Sequence, residues 1–137
     1  MNFQILNNKI FRGYISSRDI NGSFYPQNIQ NLIIRTFCKE KKINLQLSGT
    51  EWNVKDSFLM LRSVIEEKND GIIFFSIYQI LENLEMFKIL TNKILNKKKV
   101  MIFCLENISI SNKKELNNII NSIKVNKLIG KMKLKYK

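Results

Sequence analysis

Histidine is absent from the 137 residues. That removes the commonest general base and the commonest zinc ligand together. A Ser-His-Asp triad is therefore excluded, and any catalysis would fall to carboxylates, serine, lysine, arginine, tyrosine or cysteine. Only two cysteines occur, Cys38 and Cys104. Both fall in apolar stretches and form no CxxC pair, so they read as buried free thiols. No metal-ligand spacing, no G-x-G-x-x-G and no Walker A sequence is present, so neither a metal nor a cofactor is expected. No run of about 18 apolar residues exists, which excludes a spanning helix. The start, "MNFQILNNKIFRG", lacks a basic segment, a long apolar core and a small-residue cleavage site, so it is no secretory signal. A cytoplasmic location is expected.

Arginine is scarce too. Of 23 basic residues only Arg12, Arg18, Arg35 and Arg62 are arginine, against a net charge of +12. Lys, Asn and Ile are all heavily used, as AT-rich codons favour, so the lysine excess is read as a codon bias and nucleic acid is set aside as a partner despite the charge. A retained arginine is informative, because its planar fork binds phosphate or carboxylate in a way lysine cannot. The segment 124–137, "KVNKLIGKMKLKYK", holds six lysines and no acid. It is read as a basic tail on a single domain spanning 1–123.

Strand and helix patterns alternate along the chain. "KIFRGYIS" reads as a first strand. "PQNIQNLIIRTFCKEKK" reads as a helix, with Pro26 in its first turn and Ile29, Leu32, Ile33 and Phe37 as its inner face. "INLQLSGTEW" is a second strand, ended by Ser48 and Gly49. A second helix follows with Phe58, Leu61, Val64 and Ile65 inward. "GIIFFSI" and "VMIFCLENI" are apolar on both faces, as strands of a parallel sheet are. They flank a third helix carrying Leu84, Phe87, Leu90 and Ile94. The fourth helix opens at Ser111, with Lys114 where a capping box would place Glu. The pattern predicts an α/β fold of three layers, with a four-stranded, mainly parallel sheet and alternating helices.

In such sheets the ligand site lies beyond the carboxyl ends of the strands. Strand 1 there runs into Ser16, Ser17 and Arg18, and strand 2 into Ser48, Gly49, Thr50 and Glu51. Gln27, Gln30 and Arg35 belong to the intervening helix. Arginine could grip an anion. Ser16, Ser17 and Glu51 are the candidates for chemistry, with Glu51 as a base if burial raises its pKa and a serine as nucleophile despite the missing histidine. The candidate ligand contacts are Ser17, Arg18, Gln27, Gln30, Arg35, Ser48 and Glu51. Trp52 could stack on a ring at the mouth, although a packed loop aromatic is equally ordinary.

The stretches "RGYISSR", "PQNIQNLIIRTFC", "LSGTEW" and "GIIFFSI" resemble the bacterial sporadic carbohydrate cluster proteins. That family reads G-Y-x-x-S-R, P-Q-x-x-Q-N, I-R-x-x-C, L-S-x-T-E-[YW] and G-I-x-x-[YF]-S. The resemblance covers about residues 11–108 and includes Ser17, Arg18, Gln27, Gln30, Arg35, Cys38, Ser48 and Glu51. It implies a locus for surface-polysaccharide synthesis and a sugar-phosphate or nucleotide-sugar type of ligand. Partners among other proteins of a glycan pathway are a second possibility, and a homo-oligomer is left open.

The element order also resembles the catalytic domain of serine recombinases. Against that family's R-V-S-T, S-G and D-R-L-x-R motifs, Ser16 falls on the nucleophile and "SGT" on the turn. Tyr14, Val54 or Lys55, Gln79 and Glu82 stand where that family carries arginines. Strand exchange needs those guanidinium groups around the phosphate. The resemblance therefore implies the fold without the recombinase reaction, and no long dimerisation helix followed by a helix-turn-helix is expected.

Overall fold

The computed structural model describes residues 8–52 and 57–135, with side chains through 126 in the last helix. Two wholly buried strands, β3 (Gly71–Phe74) and β4 (Val100–Phe103), form the centre of the sheet. Their apolar residues leave no polar face, so helices must cover both sides. β1 (Ile10–Ser16) lies parallel to β3, and β2 (Asn44–Glu51) parallel to β1. The order is β2-β1-β3-β4-β5. The sheet has five strands, one more than the periodicity predicts. β5 (Ile108–Ile110) folds back antiparallel on β4 through a turn in which Asn107 is left-handed at φ 53°. That tight reversal lies hidden inside the apolar run read as one strand.

The side-chain alternation of the strands splits the core in two. Phe11, Ile15, Ile73, Phe75 and Ile102 pack on one face with Ile34 and Cys38 of α1 (Gln27–Lys41). Tyr14, Ile72, Phe74, Met101 and Phe103 pack on the other. There they meet α2 (Leu59–Glu66), α3 (Leu84–Asn96) and α4 (Lys113–Lys135). The three layers are thus uneven, with one helix against three. The inner faces expected for the second and third helices form as read, Leu84 being only half-buried.

α1 turns differently. Its buried stripe is Gln30, Ile34 and Cys38, whereas Ile33 and Phe37 are half-buried and Ile29 and Leu32 are exposed. A buried glutamine sets the phase of this helix, because its amide is needed at the end of β1. Pro26 is the N-cap residue and stays extended at ψ 145°, one position before the first turn. At the other end of the chain, Asn112 rather than Ser111 caps α4. Its Oδ1 accepts the Glu115 N–H at 2.9 Å, and Glu115 accepts from the Asn112 amide and the Ser111 hydroxyl. The cap lies one residue later than the sequence suggests, and the Glu115 carboxylate returns to the Asn112 side-chain amide and to Ser111 rather than to the Asn112 backbone N–H of a capping box.

β2 carries one extra residue. Arg12 pairs with Gln46 and Tyr14 with Gly49, so Leu47 and Ser48 together oppose Gly13. Such a bulge inverts the parity of everything after it. Leu45 packs toward α1, and beyond the bulge Ser48 and Thr50 do so too. Gly49 and Glu51 are thereby turned to α2. Arg12 holds the bulge from behind, donating to the Leu47 carbonyl at 2.7 Å and pairing with Glu67 at 3.2 Å. Ser48 and Gly49 thus sit inside the strand, not at its end.

Candidate functional site

The carboxyl end of β1 separates its two serines. Tyr14 and Ser16 face α2 and α3, and Ser17 lies beyond the strand toward α1. The Ser16 N–H donates to Gln30 Oε1 at 3.0 Å, and its carbonyl accepts from Gln30 Nε2 at 2.7 Å. The same Nε2 reaches the Tyr25 carbonyl at 2.8 Å. The Ser16 hydroxyl accepts from Gln79 Nε2 at 3.0 Å, and Gln79 takes the Ser76 N–H on its own oxygen at 3.1 Å. Ser16, Gln30 and Gln79 are all buried. Two glutamines therefore lock Ser16 into the core, where its hydroxyl meets no solvent.

Arg18 also turns inward. It donates to the Ser57 carbonyl at 2.9 Å and the Gln79 carbonyl at 3.2 Å, with its guanidinium 4.8 Å from the Phe58 ring centre. It is 7% exposed and lines neither cavity described below. Glu51 is buried against the start of α2. Its Oε1 accepts from the Tyr14 hydroxyl at 2.8 Å and the Leu61 N–H at 3.2 Å, and its Oε2 from the Met60 N–H at 3.1 Å. A carboxylate there meets the positive end of the helix dipole and two otherwise unpaired N–H groups. Burial, the neighbouring Glu51 charge and their hydrogen bond all raise the Tyr14 pKa above its ordinary value. Glu51 thus spends its oxygens on the chain's own donors.

What stays open is a cleft between α1 and β2. A larger cavity, about 660 Å³, is walled by Gln27, Asn31, Arg35 and Lys39 of α1 and by Gln46, Ser48 and Thr50 of β2. Ile15, Cys38, Ile43 and Leu45 supply its apolar lining. Burial pushes the Cys38 thiol up to about 12, so it contributes an uncharged surface. A second cavity of about 310 Å³ is formed by Ser17, Gln27, Thr50 and Trp52. The two share Gln27 and Thr50 as walls and so are neighbours. Among the described residues no acidic side chain lines either one. The Ser17 hydroxyl donates to the Glu51 carbonyl at 2.9 Å, which fixes the oxygen at the cleft mouth with acceptor capacity to spare.

Of the expected contacts, Ser17, Gln27, Arg35 and Ser48 reach this cleft, and Arg18, Gln30 and Glu51 are turned into the protein. Lys39 and Asn28, also in the lining, escape a strand-end argument. A signal for Lys39 does exist, since Gln27, Asn31, Arg35 and Lys39 recur every fourth residue and form one helix stripe. Gln79, which holds Ser16, carries no such signal. Val54 and Lys55 lie outside the described residues. Among the described residues no cluster of His, Cys, Asp or Glu could hold a metal ion, and no helix is long and apolar enough to cross a membrane.

No family model matches the chain, and no curated protein matches it. Solved structures do. The N-terminal catalytic domain of TP901-1 integrase aligns with a TM-score of 0.63 at 15% identity, covering 88% of this chain and 98% of that one. A resolvase family site-specific recombinase from Streptococcus pneumoniae aligns with a TM-score of 0.63 at 10% identity, covering 93% and 99%. The chain has a resolvase-like α/β fold.

Proposed function

We propose that this chain is a binding protein on a resolvase-like fold, taking an anionic or sugar-containing small molecule in the α1–β2 cleft. A role in carbohydrate biosynthesis in the cytoplasm is the setting that the sequence resemblance suggests. The observation that carries the reading is the division of the polar residues at the ends of β1 and β2. Ser16 and Glu51, the groups with the right address for chemistry, are spent on internal hydrogen bonds. Ser17, Gln27, Arg35 and Ser48 face an open cleft that no acidic side chain lines among the described residues. Arginine beside amides and hydroxyls recognises phosphate or carboxylate and sugar hydroxyls.

Isothermal titration against sugar phosphates and nucleotide sugars tests it. Binding by at least one, weakened tenfold or more in Arg35→Ala, is the expected result. No binding by any of them, or affinity unchanged in Arg35→Ala, overturns it.

A second reading has an observation of its own. One of the aligned structures is an integrase catalytic domain and another a resolvase family site-specific recombinase by description, and the net charge is +12. On that reading the chain binds duplex DNA without cutting it. Its affinity would then fall steeply with salt and collapse on removing residues 124–137. A shallow salt slope rejects it.

A further inference from the structure

We infer that the cleft takes an elongated, two-ended ligand: a ring at Trp52 and an acidic group, phosphate or carboxylate, at Arg35 and Lys39. This deepens the binding reading above and rests on it.

Three features support that shape. The first is adjacency. The Trp52 cavity and the larger cavity share Gln27 and Thr50 as walls, which places both within reach of one elongated occupant. The second is polarity along the length. Trp52 is 72% exposed at one end and offers its ring to a flat partner. Arg35 and Lys39 follow two and three turns down α1 from Gln27. Their charges lie at the end away from the strand termini, where a strand-end rule would not place an anion. The third is the span. From Gln27 to Arg35 the helix rises about 12 Å at 1.5 Å per residue. A hexose 1-phosphate, whose phosphate is borne by a ring carbon, is too short to cover that separation. A molecule whose ring and acidic group are separated by a further sugar or nucleoside unit can. The middle of the cleft suits such a spacer, with amides and hydroxyls of Asn31, Gln46 and Ser48 above an apolar floor of Ile15, Ile43 and Leu45.

Trp52 is the single tryptophan of the chain, so its fluorescence reports directly on that end. The test compares inorganic phosphate, glucose 1-phosphate and a uridine diphosphate sugar by titration, in the native chain and in Trp52→Ala, Arg35→Ala and the double variant. The long ligand should quench Trp52 and bind at least tenfold more tightly than either short one. Its affinity should fall at least fivefold on each single substitution. The short ligands should respond to one substitution only. Equal affinity for glucose 1-phosphate and the long ligand overturns the two-ended site but leaves an anion site standing. So does a long ligand indifferent to Trp52→Ala. Binding of none of the three in the native chain overturns both readings. Because both side chains are exposed, the variants should melt within about 2 °C of the native chain, and an altered fold would show there first.

Discussion

Glu51 and Lys99 hold opposite ends of the same helix, and neither belongs to it. Glu51 accepts the first N–H groups of α2, from Met60 and Leu61. Lys99 Nζ donates to the Ile65 and Glu67 carbonyls at its far end, each at 2.7 Å. α2 has only eight residues, no acid in its first turn, no base in its last and no side-chain cap of its own. Helices this short are marginal alone. Orphan groups at both ends, and both ends of the dipole, meet a charged side chain from elsewhere: Glu51 at the end of β2 and Lys99 just before β4. Burial pulls the Lys99 pKa below its ordinary value, and nearby Lys97 adds to it.

Removing either clamp should destabilise the fold. Glu51→Gln and Lys99→Met are each expected to cost about 1–3 kcal/mol in urea unfolding, because buried backbone groups lose a charged partner. The two sites lie about 12 Å apart along the helix, so the costs should add within about 0.5 kcal/mol. A Glu51→Gln variant as stable as the native chain would mean the carboxylate does not cap α2.

Two glutamines one turn apart should behave oppositely. Gln30→Ala strands the Ser16 N–H and two carbonyls in the core and should cost 2 kcal/mol or more, at about 1–3 per buried unpaired group. Gln27→Ala, exposed at the cleft, should change stability by less than about 0.5 kcal/mol. Thermal and chemical denaturation of the pair measure this directly. Equal effects would contradict the inward role of Gln30.

Tyr14 should make the fold sensitive to alkali. Its folded pKa is raised above the ordinary 10.0. Its contribution is therefore complete below about pH 10 and is lost as pH rises, because the unfolded chain ionises there while the folded one stays protonated. The stability gap between native and Tyr14→Phe chains should hold up to about pH 9.5 and narrow as pH rises beyond about 10, by at most about 1.4 kcal/mol per pH unit. A constant gap over that range would reject it.

Gly13 should tolerate no side chain. A Cβ there would run into the Ser48 hydroxyl, with Ser48 Cβ at 3.2 Å and Cα at 3.3 Å. Gly13→Ala should cost about 1–3 kcal/mol as overpacking. Ser48→Gly in the same chain should return a good part of it, a coupling of at least about 0.5 kcal/mol in a double-mutant cycle. Additive losses would show that the bulge does not press on β1.

Much of this architecture is legible in the chain itself. Two strands apolar on both faces, helical spacing in Leu61, Val64 and Ile65, and the alternation of elements demand a helix-covered parallel sheet, and no other layering buries those residues. The missing histidine removes whole classes of chemistry without any coordinates. Strand ends carrying Ser17 and Glu51 mark the end of the sheet where a cleft opens.

Which of those polar residues face the cleft was decided only in three dimensions. Leu45, Leu47, Gly49 and Glu51 share one parity in the sequence, so an unbroken strand would send Glu51 to the same side as Leu45. The extra residue opposite Gly13 reverses that and delivers Glu51 to α2. Gln30 rotates α1 because its amide must meet both backbone groups of Ser16. Arg18 turns inward to carbonyls contributed by Ser57 and Gln79, 39 and 61 residues away. Periodicity records only what a segment does to itself. A bulge register and a non-local hydrogen bond depend on which backbone lies opposite, and only the packed sheet supplies that.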